Sequence, residues 1–78
     1  MITAEQIRAG RALVNWSQDE LATAAGVSRP TIKRMETKGP ATSSAGNVDA
    51  VKKALEGAGV SFVEPNGMGP GVRMKNTG

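Results

Sequence analysis

The stretch that decides the fold is SQDELATAAGVSRPTIKRME, residues 17–36. Ser17 and Glu20 have the S-x-x-E spacing of a capping box, in which each side chain satisfies a backbone amide of the other residue and opens a helix. That helix is expected over residues 18–25. Gly26 stops it, because glycine takes the left-handed conformation needed just past a helix end without a steric penalty. Only Val27 and Ser28 follow before another helix can begin. Ser28 is a good N-cap, and Pro30 falls in the first turn, where its missing amide hydrogen does no harm. This helix should reach about residue 37, ahead of Gly39-Pro40. Leu21, Ala25, Ile32 and Met35 can fill a core shared by the two helices. Ala22 leaves room for a steep crossing, and Val27 plugs the space beneath the turn. One helix is thereby held outward by another.

Working toward the N-terminus, Thr3 and Gln6 repeat the capping box as T-x-x-Q and open a helix from residue 4 to about 15. Ile7, Gly10, Arg11 and Val14 share one of its faces. Gly10 costs up to ~1 kcal/mol against alanine in a helix interior, so either another backbone approaches closely there or the position is simply tolerated. Trp16, beside the Ser17 cap, is expected to pack between the first two helices.

Toward the C-terminus, residues 40–46 are small or polar and read as a loop. A fourth helix is expected over roughly 45–57, capped by Ser43, Ser44 or Asn47, with Val48, Val51, Leu55 and Ala58 inward and Gly57 and Gly59 at its end. Residues 60–64 and 72–75 are β-prone, and residues 65–70 between them are turn material. In the second run Val72 and Met74 alternate with Arg73 and Lys75, the pattern of a strand with one wet face. An isolated two-stranded hairpin is marginal in water, so these strands must pack on the helices, pair with another chain or stay unstructured. The apolar run over 60–63 would be a poor exposed edge. Residues 1–58 are thus expected to form the helical domain, and residues 59–78 a β-prone tail that pairs or packs in a homodimer.

Bulk properties narrow the function. The chain has 78 residues, too few for a second domain, and contains neither cysteine nor histidine. Disulfides, the usual zinc ligands and the commonest general base are therefore absent. Gly67-Met68-Gly69-Pro70-Gly71 has no following lysine at a helix start, so it is not a phosphate-binding loop of P-loop form. The expectation is a protein that is not an enzyme, with no catalytic residues, no cofactor and no metal. The net charge is +3, and all of it is accounted for between Ser28 and Gly39, where Arg29, Lys33, Arg34 and Lys38 stand against Glu36 alone. A basic patch in one short segment suits a polyanion. No run approaches the ~20 apolar residues of a membrane span, and the N-terminus lacks a basic region followed by an apolar core. The expected compartment is the cytoplasm.

Residues 17–28, continuing through Thr31, Ile32, Lys33, Arg34, Met35 and Glu36, resemble the phage-repressor-type (Cro/C1, or XRE) helix-turn-helix family, with Gln18, Leu21-Ala22, Gly26-Val27-Ser28, Ile32 and Glu36 in register. The resemblance covers about residues 4–58. It implies a mainly α, four-helix, lambda-repressor-like helix-turn-helix domain. The tail would then be a short C-terminal β-hairpin or dimerisation strand segment. It implies sequence-specific binding to double-stranded DNA as a transcriptional regulator, a repressor or autoregulator, with residues 29–37 in the major groove. The DNA-contact set it implies is Gln18, Ser28, Arg29, Pro30, Thr31, Lys33, Arg34 and Lys38. Gln18 would face phosphate at a helix N-terminus. Arg29 and Arg34 would read bases, Lys33 would reach a base or a phosphate, and Thr31 and Lys38 would set register on the backbone. Arg11 and Glu36 would form a partly buried structural ion pair.

Two departures from the family pattern carry expectations of their own. Glycine commonly stands two residues after the glutamate, whereas this chain reads Glu36-Thr37-Lys38-Gly39, which extends the third helix by one residue. The fifth helix of phage repressors is replaced by the β-prone tail, so dimer geometry does not transfer from them. A two-fold dimer on a palindromic operator would place its recognition helices about 34 Å apart. Lys52 and Lys53 are expected to be solvated, and Arg73 and Lys75 are lesser candidates for phosphate contact. Two alternatives remain open: an antitoxin that represses its own promoter and binds a toxin or other protein partner, and a protein-interaction module that uses the scaffold without DNA.

Overall fold

A computed structural model describes residues 2–63 and 71–74. Four α-helices are followed by a two-stranded antiparallel sheet: α1 (Ala4–Val14), α2 (Gln18–Ala25), α3 (Arg29–Lys38), α4 (Ala45–Gly57), β1 (Val60–Val63) and β2 (Gly71–Met74), with one 3-10 turn at Pro40–Thr42 between α3 and α4. The fold class is the expected one.

Local chemistry sets the helix starts. Both capping boxes form: Thr3 Oγ1 accepts from the Gln6 amide at 3.1 Å while Gln6 Oε1 accepts from the Thr3 amide at 2.9 Å, and Ser17 and Glu20 do the same at 3.0 and 2.8 Å. Ser28 Oγ caps α3 by accepting from the Thr31 amide at 3.2 Å. Of the three candidates for α4, Ser44 is the cap, accepting from the Asn47 amide at 3.2 Å. Helix ends are equally specific. α1 stops one residue earlier than expected because Asn15 adopts the left-handed conformation (φ 57°), which lets the Trp16 amide reach back to the Arg11 carbonyl at 3.0 Å. Gly26 (φ 72°) does the same for α2, with the Val27 amide on the Ala22 carbonyl at 3.0 Å. α3 reaches Lys38, as the displaced glycine implied, and Gly39 turns the chain at φ 98°. The segment 40–46 is less irregular than expected: its first three residues form the 3-10 turn, and α4 has begun by Ala45.

Ile7, Leu21, Ile32, Met35, Val51, Leu55 and Val60 are fully buried and, with Ile2, Ala22 and Val48, form one apolar core. Leu21, Ile32 and Met35 weld α2 to α3, while Ala25 and Val27 pack at the margin of the core. Trp16 also packs there, half-buried, next to the α1–α2 junction. Of the inward residues expected on α4, Val48, Val51 and Leu55 are buried and Ala58 is only half-buried. Gly10 meets a close approach, by side chains rather than backbone: a Cβ there would lie 3.2 Å from Leu55 Cδ1 and 3.6 Å from Val60 Cγ1. α1 thus lies directly on α4 and the start of β1.

The tail pairs with itself. β1 and β2 are antiparallel, with Val60 opposite Met74, Ser61 opposite Arg73, Phe62 opposite Val72 and Val63 opposite Gly71. Val60, Phe62, Val72 and Met74 pack on the core, and Arg73 is exposed. Gln6 holds the far end of the pair: its Nε2 donates to the carbonyls of Val63 (3.3 Å) and Gly71 (2.9 Å). One buried glutamine therefore completes the α1 cap with its oxygen and ties down both strands with its nitrogen. The turn expected over 65–70, with Glu64 and Lys75, lies outside the described residues.

Candidate nucleic-acid interface

The site grows from the way α3 is seated. Ile32 and Met35 are fully buried beneath it and Glu36 nearly so, which turns Arg29, Pro30, Lys33, Arg34 and Thr37 to solvent at helical spacing. All five are exposed, and so are Lys38 at the end of the helix and Ser28 at its start; Thr31 is half-buried. The Ser28 hydroxyl, besides capping α3, lies 2.8 Å from Thr31 Oγ1. Every basic residue named from the sequence between Ser28 and Gly39 therefore lies on one helix and is exposed.

A buried ionic knot fixes that helix from below. Glu36 is 3% exposed, and both its carboxylate oxygens are taken by Arg11: Arg11 Nε donates to Oε2 at 2.7 Å and Nη2 to Oε1 at 2.9 Å. Arg11 Nη1 also donates to the Trp16 carbonyl at 3.0 Å, and Gln18 Nε2 donates to Glu36 Oε1 at 3.1 Å. The guanidinium of Arg8 donates to the backbone carbonyl of Glu36, placing a cation at the negative end of α3. Burial alone would push the Glu36 carboxyl up, but hydrogen bonds from Arg11 and Gln18 and the charges of Arg11 and Arg8 outweigh it and hold the group below the usual carboxylate range. The Arg11 guanidinium is raised in turn, chiefly by its hydrogen bond to Glu36. The knot joins α1, the first residue of α2 and the last turn of α3, so the two helices of the motif and their support share one rigid anchor.

Three contacts of the site were invisible from the sequence. Gln18, named for phosphate contact, has its amide nitrogen on Glu36, leaving its oxygen for other partners. Arg29 faces Asp19 of α2, with Nε 3.6 Å from Oδ1 and both side chains well exposed. Arg8 also went unnamed as a structural residue; its position one turn before Arg11 was the only signal. Elsewhere Lys53 pairs with Asp49 at 3.1 Å on α4, and Lys52 is half-buried.

A pair of short packed helices, joined at a left-handed glycine and presenting a basic outer helix, defines a helix-turn-helix protein. A helix-turn-helix family model matches residues 7–64, well over half of the chain, and the chain belongs to the Cro/C1-type (XRE) helix-turn-helix family. The family is one of DNA-binding regulators. None of the curated proteins compared with the chain matches it. Among the described residues, no helix is long and apolar enough to cross a membrane.

Proposed function

We propose that the protein is a sequence-specific double-stranded DNA-binding repressor or autoregulator, with α3 lying in the major groove. The observation that carries this reading is the outward face of α3: Arg29, Lys33 and Arg34 are exposed on a helix whose opposite face is locked by Ile32, Met35 and the Arg11–Glu36 pair. Arg29 and Arg34 read bases, each able to pair bidentately with guanine O6 and N7. Lys33 contacts a base or a phosphate. Gln18, Ser28, Thr31 and Lys38 contact the sugar-phosphate backbone, and Pro30 packs against the groove wall. Phosphate neutralisation supplies affinity, and α3 supplies sequence preference.

The operator is palindromic and the protein binds it as a homodimer. Among the described residues the sheet has two strands, each with an outer edge that a second copy can pair with, and Phe62, Val63, Val72 and Met74 are only half-buried; both features support this reading. In a dimer of this kind the tail holds the two recognition helices about one DNA turn apart.

The test is a fluorescence titration against pooled genomic fragments at several salt concentrations, with the R29A/R34A double variant as control. Recovery of a palindromic sequence, lost in the double variant, with affinity falling steeply as salt rises, is the expected result. Weak, unselective binding by both proteins would refute it and favour a protein partner in place of DNA.

A further inference from the structure

Arg29 occupies the first turn of α3, at the positive end of the helix dipole, and that turn contains no acidic residue. A cation there is disfavoured by a few tenths of a kcal/mol or more, so helix stability does not account for it. The compensating charge comes from another helix. Asp19 lies in the first turn of α2, and its Oδ1 approaches Arg29 Nε at 3.6 Å. Asp19 is 71% exposed and Arg29 64%, so both project from the surface that also presents Lys33 and Arg34. A carboxylate on a face that must meet phosphates opposes simple affinity.

From this juxtaposition we infer that Asp19 is a specificity-determining residue: its charge, 3.6 Å from Nε, biases the Arg29 guanidinium toward one orientation and leaves the terminal nitrogens for a guanine edge. The inference rests on the DNA-binding reading given above. The guanidinium is planar and carries five N–H donors in a fixed fork, so a partner on the Nε side leaves the two terminal nitrogens free for a second two-acceptor partner such as guanine O6 and N7. Without Asp19 the long arginine side chain reaches phosphate oxygens as easily as bases. The carboxylate also repels phosphate wherever Arg29 is not satisfied by the correct base, which weakens binding to wrong sequences more than to the right one. Both effects raise discrimination at the cost of general affinity.

The experiment is selection from a randomised duplex library followed by titration of single base-pair variants, using the full chain and its D19N, R29A and D19N/R29A variants. Wild type is expected to select a G·C pair that R29A no longer distinguishes. D19N should bind unrelated duplex several-fold more tightly than wild type, while its preference at that one base pair falls roughly three- to ten-fold. In the R29A background, D19N should leave base preference at that position unchanged. An exposed ion pair contributes little to folding and a carboxylate in the first turn of a helix about 0.3–1 kcal/mol, so the melting temperature of D19N should fall by no more than about 8 °C, and comparing base preference where both proteins are folded separates this role from a structural one. Undiminished preference in D19N, or an equal loss of affinity for every sequence, overturns the assignment of Asp19 and leaves the DNA reading standing. If wild type selects no sequence at all, both fall together.

Discussion

Removing Arg11 tests the anchor beneath the recognition helix most directly. Glu36 is 3% exposed and Arg11 23%, and Arg11 fills both oxygens of the carboxylate. Replacing Arg11 by methionine preserves much of the apolar stem but leaves a buried carboxylate with only Gln18 Nε2 on one oxygen. Breaking a buried pair from one side costs ~3–5 kcal/mol. Because Arg11 is partly wet, the lower end applies, about 3 kcal/mol. In a domain of 60–100 residues each kcal/mol moves the melting temperature by about 4–8 °C, so the R11M variant should melt on the order of 12–24 °C lower. That is a large share of the ~5–15 kcal/mol typical of a folded domain.

The pH dependence has a definite sign. The Glu36 carboxyl is held below its ordinary range in the folded protein, so its contribution is complete above the unfolded-state value of about 4.3 and fades as pH falls through the lower folded-state value. R11M has less of that contribution to lose, and its deficit relative to wild type should shrink below about pH 4. The R11M/E36M variant, with both charges gone, should recover most of the loss at neutral pH. Urea and thermal unfolding followed by circular dichroism measure all three proteins. A loss under about 1 kcal/mol in R11M, a double variant no better than the single, or a deficit that widens in acid would refute the anchor as described. DNA affinity of R11M at a temperature where it is folded should stay within a few-fold of wild type, because Arg11 supports α3 from below.

Gln6→Ala removes the donor that holds Val63 and Gly71, along with half of the α1 capping box, and should cost about 1–2 kcal/mol. Amide hydrogen exchange should accelerate in β1 and β2 well before α3; equal protection throughout would argue against the clamp. Gly10→Ala gains up to ~1 kcal/mol of helix propensity but presses a Cβ to 3.2 Å from Leu55 Cδ1, so its net change in a urea melt should be within about 1 kcal/mol of zero. Gly10→Val should lose about 1–3 kcal/mol by overpacking the same contact, and a neutral result would show that α4 can withdraw. On operator DNA, Arg34→Ala should lose about 1–3 kcal/mol at one base pair, whereas Lys38→Ala should weaken all sequences alike and lower the salt slope by about 1. Identical titration profiles for the two variants would contradict the division of roles on α3.

The residues legible from sequence are those whose partners lie within one helical turn. Thr3 with Gln6 and Ser17 with Glu20 announced two helix starts because a capping box is complete in four residues. Gly26 announced the turn, and the alternation of Ile32 and Met35 with Lys33 and Arg34 assigned one face of α3 to the core and the other to solvent. The Arg11–Glu36 pair spans 25 positions and was legible only through family resemblance. No local signal joins Gln6 to Gly71, 65 positions away, or Asp19 to Arg29, whose closeness depends on the angle at which α2 and α3 cross. Nor could the pattern of residues 60–75 choose between a partner chain and the helices for the strands, since alternation specifies a wet and a dry face but not what covers the dry one. Sequence by itself determined the helices, the turn and the basic outer face, because hydrogen-bonding chemistry and helical periodicity act over a few residues. Tertiary structure alone decided that the hairpin folds back onto α1 and α4 and that Asp19 meets Arg29, because such contacts exist only once the core has set the distances between elements.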